Sequence, residues 1–359
     1  MYRYQLPFAA PAVLGHNTLH RREGLLLELA GDDGTTGWGE ASPLPGFSRE
    51  SIDAAARQLH GLTRTLIGRE PEEAWISPGG LLDRLLDGAK PAPSARFALE
   101  LAIWNLHAEV QGETLPEVIS PNFHASAPVN GLLSGTKDQV LEDARRMRDA
   151  GYETVKLKVG GRGGVEAAEL VRALDEVLGG EVRIRLDANR AWDRGGAEAF
   201  ARATEGSRYE YIEEPLADPS GLSRLAGEYG VPVALDESLV GMEPERLEEH
   251  AYARAVVLKP TLIGGISRTL RFARRASELG IVPVISAAYE TGIGTLALIS
   301  LAAGTGEEAI PAGLDTYRRL AADVLEPSLE LETPIIQVRQ TTGRRREIDR
   351  SRLVPYRLT

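Results

Sequence analysis

The chain has no cysteine among its 359 residues. Disulfides, thiolate metal sites and a cysteine nucleophile are thereby excluded, in keeping with a cytoplasmic protein. No apolar run reaches the roughly 20 residues that a membrane helix needs. The opening stretch, residues 1–15, lacks a basic segment followed by an uninterrupted apolar core, so no signal peptide is expected. Histidine is scarce, with 6 in all: His16, His20, His60, His107, His124 and His250. All six miss the strand ends of the barrel pattern described next, so neither a Ser-His-Asp triad nor a histidine base is expected. Positive charge is outnumbered, 41 basic side chains against 52 acidic ones, for a net charge of -11. The short arginine runs at 271–275 and 344–346 read as solvated faces rather than phosphate readers, and no nucleic-acid or membrane partner is expected. Nothing in the pattern singles out an oligomeric state.

What the chain does have is a beat of charged residues closing successive apolar runs. ETVKLKV carries Lys156 and Lys158, VRIRLDAN carries Asp187, and YEYIEEP carries Glu213 and Glu214. PVALDES follows with Asp236 and Glu237, AVVLKP with Lys259, and IVPVIS with Ser286. Successive steps are about 23 to 29 residues, one strand plus one helix. With PVNGLL before them and the stretch near Ile310 after, these runs make eight strand candidates. Helical stretches such as 137–150, 164–178 and 267–279 lie between, several ending in glycine (Gly151, Gly179, Gly230, Gly280). Near-continuous apolar strands alternating with helices imply a parallel sheet buried on both faces. Eight units favour a closed barrel, whose active site lies at the C-terminal strand ends.

Residues 1–125 do not follow that beat. Strands at 1–9, 24–30 and 36–40, a helix from Arg49 capped by Ser48, and a helix over 93–110 with Phe97, Leu101 and Trp104 on one stripe read as an α+β unit. The barrel is expected over 126–319, and the tail from about 320 to 359 is expected to fold back on the N-terminal unit.

Asp187, Glu213 and Asp236 close three successive strands. Taken singly, each is explained by a helix cap or a lysine partner. Together they would repel one another unless a cation neutralises them, and hard oxygen donors without His or Cys point to Mg2+, with Mn2+ as the alternative. Lys156 and Lys158, two apart on a strand, share a face. Lys259 stands almost opposite. A metal with lysines is equipment for taking a proton from the carbon next to a carboxylate; enolase-superfamily sites are the known instance. Ser286 could bind a second carboxylate or cap a helix, and Gly264 and Gly265 could offer amides to an anion or form a plain turn.

These motifs resemble the enolase superfamily, and within it the muconate-lactonizing-enzyme subgroup, through KLK at 156–158 and LKP at 258–260. WGEASPLPGFS (38–48), RLDANRAW (185–192), EEP (213–215), LDESL (235–239), VVLKPTL (256–262) and GLDTY (313–317) resemble its dehydratase branch. The resemblance implies a modified TIM barrel, (β/α)7β, with an N-terminal α+β capping domain. It implies Lys158 as proton acceptor, Lys259 as the stabilising cation on the other face and Lys156 as an orienting group. Asp187, Glu213 and Asp236 would hold Mg2+, supported by Asn189, Arg185 and Glu237, with Glu214 peripheral. The implied reaction is a syn dehydration of a small-molecule cyclohexadiene carboxylate to an aromatic product. Loops at 14–22 and 43–48, the latter with Phe47 at its tip, would cover the substrate. The stretch YETGIG at 289–294 departs from the more serine-rich segment of that branch. A racemase of N-succinylamino acids or a dipeptide epimerase of the same subgroup is the alternative, and a non-catalytic ligand-binding barrel the remote one.

Overall fold

The computed structural model describes residues 1–14, 17–69, 73–76, 79–331 and 333–357. Residues 15 and 16 of the expected 14–22 loop, His16 among them, lie outside the described residues, as do 358 and 359 of the tail. The chain opens on an antiparallel hairpin, β1 (Tyr2–Leu14) and β2 (Asn17–Ala30), longer than the sequence pattern suggests. β3 (Thr36–Ala41) extends it, and a late segment, Leu353–Pro355, pairs with the free edge of β1. Leu25 and Leu27 on β2 are buried beneath the helices α1 (Ile52–Arg64), α2 (Leu81–Ala89) and α3 (Pro93–Gln111), while Tyr4 and Leu6 on β1 and Leu26 on β2 are buried on the opposite face of the sheet. Each such leucine contributes roughly 1.5–3 kcal/mol. α1 begins three residues later than expected. Its cap is Ser51, whose Oγ accepts from Ala54 N, while Ser48 Oγ accepts from Leu44 N and closes the 43–48 turn.

α3 lies directly on the backbone of β3. A Cβ at Gly39 would stand 1.9 Å from the Ala98 carbonyl oxygen, and one at Gly37 2.1 Å from that of Ala102. Two alternating glycines thus admit a helix that is buried almost all round, with Phe97, Leu101 and Trp104 inside.

The second sheet holds seven parallel strands: β4 (Gly131–Leu133), β5 (Thr154–Lys158), β6 (Arg183–Asp187), β7 (Tyr211–Glu213), β8 (Val233–Leu235), β9 (Ala255–Leu258) and β10 (Val282–Ile285). They are hydrogen-bonded in chain order. The eighth strand, expected near Ile310, is reduced to parallel bridges at Ala312 with Val129 and Gly313 with Ser286. These join the first strand to the last and close the barrel. Outside it run α4 (Lys137–Asp149), α5 (Gly164–Leu178), α6 (Arg194–Ala203), α7 (Leu222–Tyr229), α8 (Ile266–Glu278) and α9 (Gly292–Gly304). After β8 the α-helix is replaced by 3-10 turns at Glu237–Leu239 and Pro244–His250. Gly151, Gly179, Gly230 and Gly280 all hold positive φ at the ends of barrel helices, as their positions in the sequence suggest. Among the described residues no helix is long and apolar enough to cross a membrane.

Candidate active site

β5, β6 and β7 run in register at their C-terminal ends: Lys158 pairs with Asp187 and Asp187 with Glu213. Leu157, between the two lysines, is fully buried against the helix side, so Lys156 and Lys158 both point into the barrel. Lys156 Nζ lies 2.6 Å from Glu213 Oε2 and 3.0 Å from Asp187 Oδ2. Lys158 Nζ lies 2.7 Å from Asp187 Oδ2 and donates to Asn189 Oδ1 at 2.8 Å. Lys259, four strands from β5 and so across the barrel, pairs with Asp236. Asn189 Nδ2 donates to Glu237 Oε1 at 3.4 Å. These charges sit in one layer, and the strand order alone gathers them.

Their electrostatics follow from burial and crowding. Burial alone would raise the Asp187 carboxyl, but Lys156, Lys158 and Lys259 hold it well below the usual range. Glu213 is pushed up to about 8 by burial, with Lys156 opposing and Asp187 and Asp236 adding to the rise. Glu237 rises to about 7, through burial and then Asp236. Burial opposes the charge on Lys156 and Lys259, yet the acids around them raise both.

As these side chains stand, with ammonium groups between the acids, no three acidic or histidine side chains among the described residues are disposed to hold a metal ion. The donor set nonetheless fits a hard divalent cation. Four carboxylates, Asp187, Glu213, Asp236 and the half-buried Glu237, stand against three lysines, two of the four are pushed up to about 8 and 7, and Glu237 Oε2 is buried with no hydrogen-bond partner among the described residues.

Above the charges lies a pocket lined by Lys156, Lys158, Asn189, Lys259 and Ser286, with Phe47 as part of its roof. Phe47 packs on an apolar cluster of Phe8, Leu44, Leu262, Ala288 and Tyr289, drawn from both the capping sheet and the barrel loops. Ser286 Oγ sits at the seam, 3.5 Å from the Gly313 carbonyl.

Comparison with known proteins bears on this geometry. Residues 139–352 match the family described as enolase C-terminal domain-like, and residues 1–79 the family described as MenC, N-terminal domain. The o-succinylbenzoate synthase of Yersinia pseudotuberculosis is 32% identical over 343 residues, covering 95% of this chain and 96% of the relative. The chain belongs to the o-succinylbenzoate synthase family of the enolase superfamily. Among solved structures, a muconate lactonizing enzyme from Pseudomonas fluorescens complexed with muconolactone superposes with a TM-score of 0.85 at 25% identity, covering 98% of this chain and 96% of the other. A dipeptide epimerase from Methylococcus capsulatus, complexed with Mg and a dipeptide, gives 0.78 at 26% identity, covering 94% and 95%.

Several expected site residues stand elsewhere. Arg185 lies one layer down the barrel from Asp187. It donates to Glu210 Oε2 at 2.6 Å, the Pro311 carbonyl at 2.6 Å and Asn130 Oδ1 at 3.3 Å, and touches none of the three acids or lysines. Gly264 and Gly265 spend their amides on the Pro260 carbonyl, and Gly265 faces the Glu100 carboxylate of α3. They form a turn, not an anion cradle. Glu214 faces away from the lysines and accepts from Asp236 N, Ser238 N and Arg190 Nε, so it fixes the β8 end that carries Asp236. Pocket residues that the sequence reading passed over include Asn130, Leu262, Tyr289, Asp315 and Thr316. Asp315 and Thr316 lay within GLDTY, a stretch already distinctive, and their position just after the barrel seam was the available signal.

Proposed function

We propose that this chain is a carbon–oxygen lyase that dehydrates 2-succinyl-6-hydroxy-2,4-cyclohexadiene-1-carboxylate to o-succinylbenzoate, a step of menaquinone biosynthesis. The single observation that carries the mechanism is the pair of lysines, Lys158 and Lys259, facing one pocket from opposite sides of a barrel above buried acids. Lys158, the more exposed of the K-x-K pair, takes the proton from the carbon beside the ring carboxylate. Lys158 then returns that proton to the hydroxyl group departing from the same face, which leaves as water. Lys259 keeps its proton and sets positive charge against the carboxylate as the carbon is deprotonated. Lys156, locked between Asp187 and Glu213, fixes the row of acids beside Lys158. Asn189 orients Lys158 through its Oδ1. Asp187, Glu213 and Asp236 would hold Mg2+ or Mn2+, which supplies further positive charge to the substrate carboxylate. A cytoplasmic location and a small-molecule carboxylate as the partner belong to the same reading. Loss of water aromatises the ring, so the reaction is strongly downhill and asks little of the protein beyond that proton transfer.

The test follows loss of the cyclohexadiene absorbance with purified protein and Mg2+. Dehydration that is abolished by EDTA and by Lys158→Ala is the expected result; none with the wild type sinks the proposal. The presence of a second lysine across the pocket also suits racemisation of an N-succinylamino acid. Lys259→Arg separates the two: charge stabilisation survives the change in part, whereas proton delivery from Lys259 does not.

A further inference from the structure

Arg22, on β2 of the capping sheet, is 1% exposed. Among the described residues every hydrogen bond of its guanidinium goes to a backbone carbonyl. Nε donates to Tyr289 O at 3.0 Å, Nη1 to Pro43 O at 2.8 Å and Glu23 O at 3.2 Å, and Nη2 to Ala288 O at 3.3 Å and to Ser42 O. A buried charge without a carboxylate is costly to keep. Here it ties the 42–43 loop to the segment that follows β10. Glu40, on β3 and fully buried, grips the other end of that segment with the opposite charge. It accepts from Thr291 N at 3.0 Å, Thr291 Oγ1 at 2.6 Å and Gly294 N at 3.0 Å, and is itself held by Tyr4 Oη at 2.6 Å. Arg22 thus holds Ala288 and Tyr289 directly, and Glu40 holds the residues that follow them; Ala287, Ala288 and Tyr289 line the pocket. Tyr289 holds φ +63°, a left-handed conformation that a tyrosine keeps only where its surroundings impose it.

We infer that Arg22 and Glu40 are positioning residues: from the capping sheet they set the pocket wall at 287–289, and substrate fit rather than proton transfer depends on them. A cation that collects the carbonyls of 288 and 289 and an anion that collects the amides of 291 and 294 fix the segment 288–294 at both ends, and neither touches the charged layer. The kinetic consequence rests on the dehydration reading; the structural one does not.

Two readouts test this on the full-length protein. In steady-state dehydration, Arg22→Met is expected to raise KM about tenfold or more while kcat stays within about threefold, the signature of lost binding rather than lost chemistry. Arg22→Lys, which keeps the charge and fewer bonds, should fall between, and it carries both readouts if the methionine variant does not fold. In hydrogen exchange, amides of 288–294 should lose protection in either Arg22 variant and in Glu40→Gln while β10 stays protected. A fall in kcat with KM unmoved, or unaltered exchange at 288–294, overturns the inference. Absence of dehydration in the wild type would instead defeat the reading of the reaction and leave the exchange experiment to decide the role of Arg22.

Discussion

Lys156 and Lys158 are two residues apart on one strand, yet removing them should have opposite consequences for stability and for turnover. The Lys158 side chain is 38% exposed and that of Lys156 10%. In Lys158→Ala, Asp187 keeps the Lys156 ammonium at 3.0 Å and the Asn189 amide at 3.1 Å. The loss is then one partly exposed ion pair and one hydrogen bond, about 1 kcal/mol. In Lys156→Met the shape is nearly kept, but two buried carboxylates lose the cation they share. Breaking a buried pair by removing one partner costs about 3–5 kcal/mol. The tendency of Glu213 to take a proton, already pushed up to about 8, softens this only in part. Urea unfolding in EDTA, compared through midpoints at equal slope, reads the difference. Activity should order the other way in kind: Lys158→Ala loses the proton acceptor, at least about 10²–10⁴-fold in kcat, from a protein of near wild-type stability. If Lys158→Ala is as destabilised as Lys156→Met, or keeps more than a tenth of the wild-type rate, the two lysines do not divide the labour in this way.

Gly39→Ala places a Cβ 1.9 Å from the Ala98 carbonyl oxygen and should cost about 1–3 kcal/mol by overpacking, seen as an earlier midpoint in the same unfolding assay. Glu100 is pushed up to about 7 by burial, with Arg96 opposing. A raised carboxyl binds its proton more tightly folded than unfolded, so its contribution is full below the unfolded value of about 4.3 and is lost as pH rises through about 7. Wild-type stability should therefore fall relative to Glu100→Gln across that window; parallel curves would refute the assignment. Mg2+ at one hundred times its dissociation constant should stabilise the wild type by about 2.7 kcal/mol, and a calorimetric scan that does not move with Mg2+ would count against the proposed ligand set.

The barrel and its charged layer were legible because they rest on period and register. Lysine and carboxylate at the ends of apolar runs have few other reasons to be there, and parallel strands bring them side by side. What was hidden depends on contacts between distant parts of the chain. Ser48 and Ser51 both look like caps, and only the fold of the 43–48 turn assigns them. Gly264 and Gly265 look like an anion cradle until α3 brings Glu100 against them. Arg185 shares a face with Asp187 two residues on, and only its distant partners Glu210 and Pro311 show that its long side chain stays a layer deeper instead of reaching the acids. Arg22 and Glu40 act on residues more than 240 positions away, beyond any local pattern. The missing helix after β8 was equally unreadable, since its sequence is polar and charged like a helix surface.

The alternating glycines of β3 have a consequence outside stability. α3 touches β3 on one side, and on the other Glu100 accepts from Ser267 N, in the first turn of α8, the helix that follows Lys259. The helix is thus a gauge block between the capping sheet and the lysine-bearing strand end, and the two glycines set its seat. A shim as thin as one methyl group under it would be passed on toward Lys259. Since a misplacement of about 1 Å can cost about 10²-fold in rate, the catalytic clearance of this barrel is machined partly in a sheet that holds none of its catalytic groups.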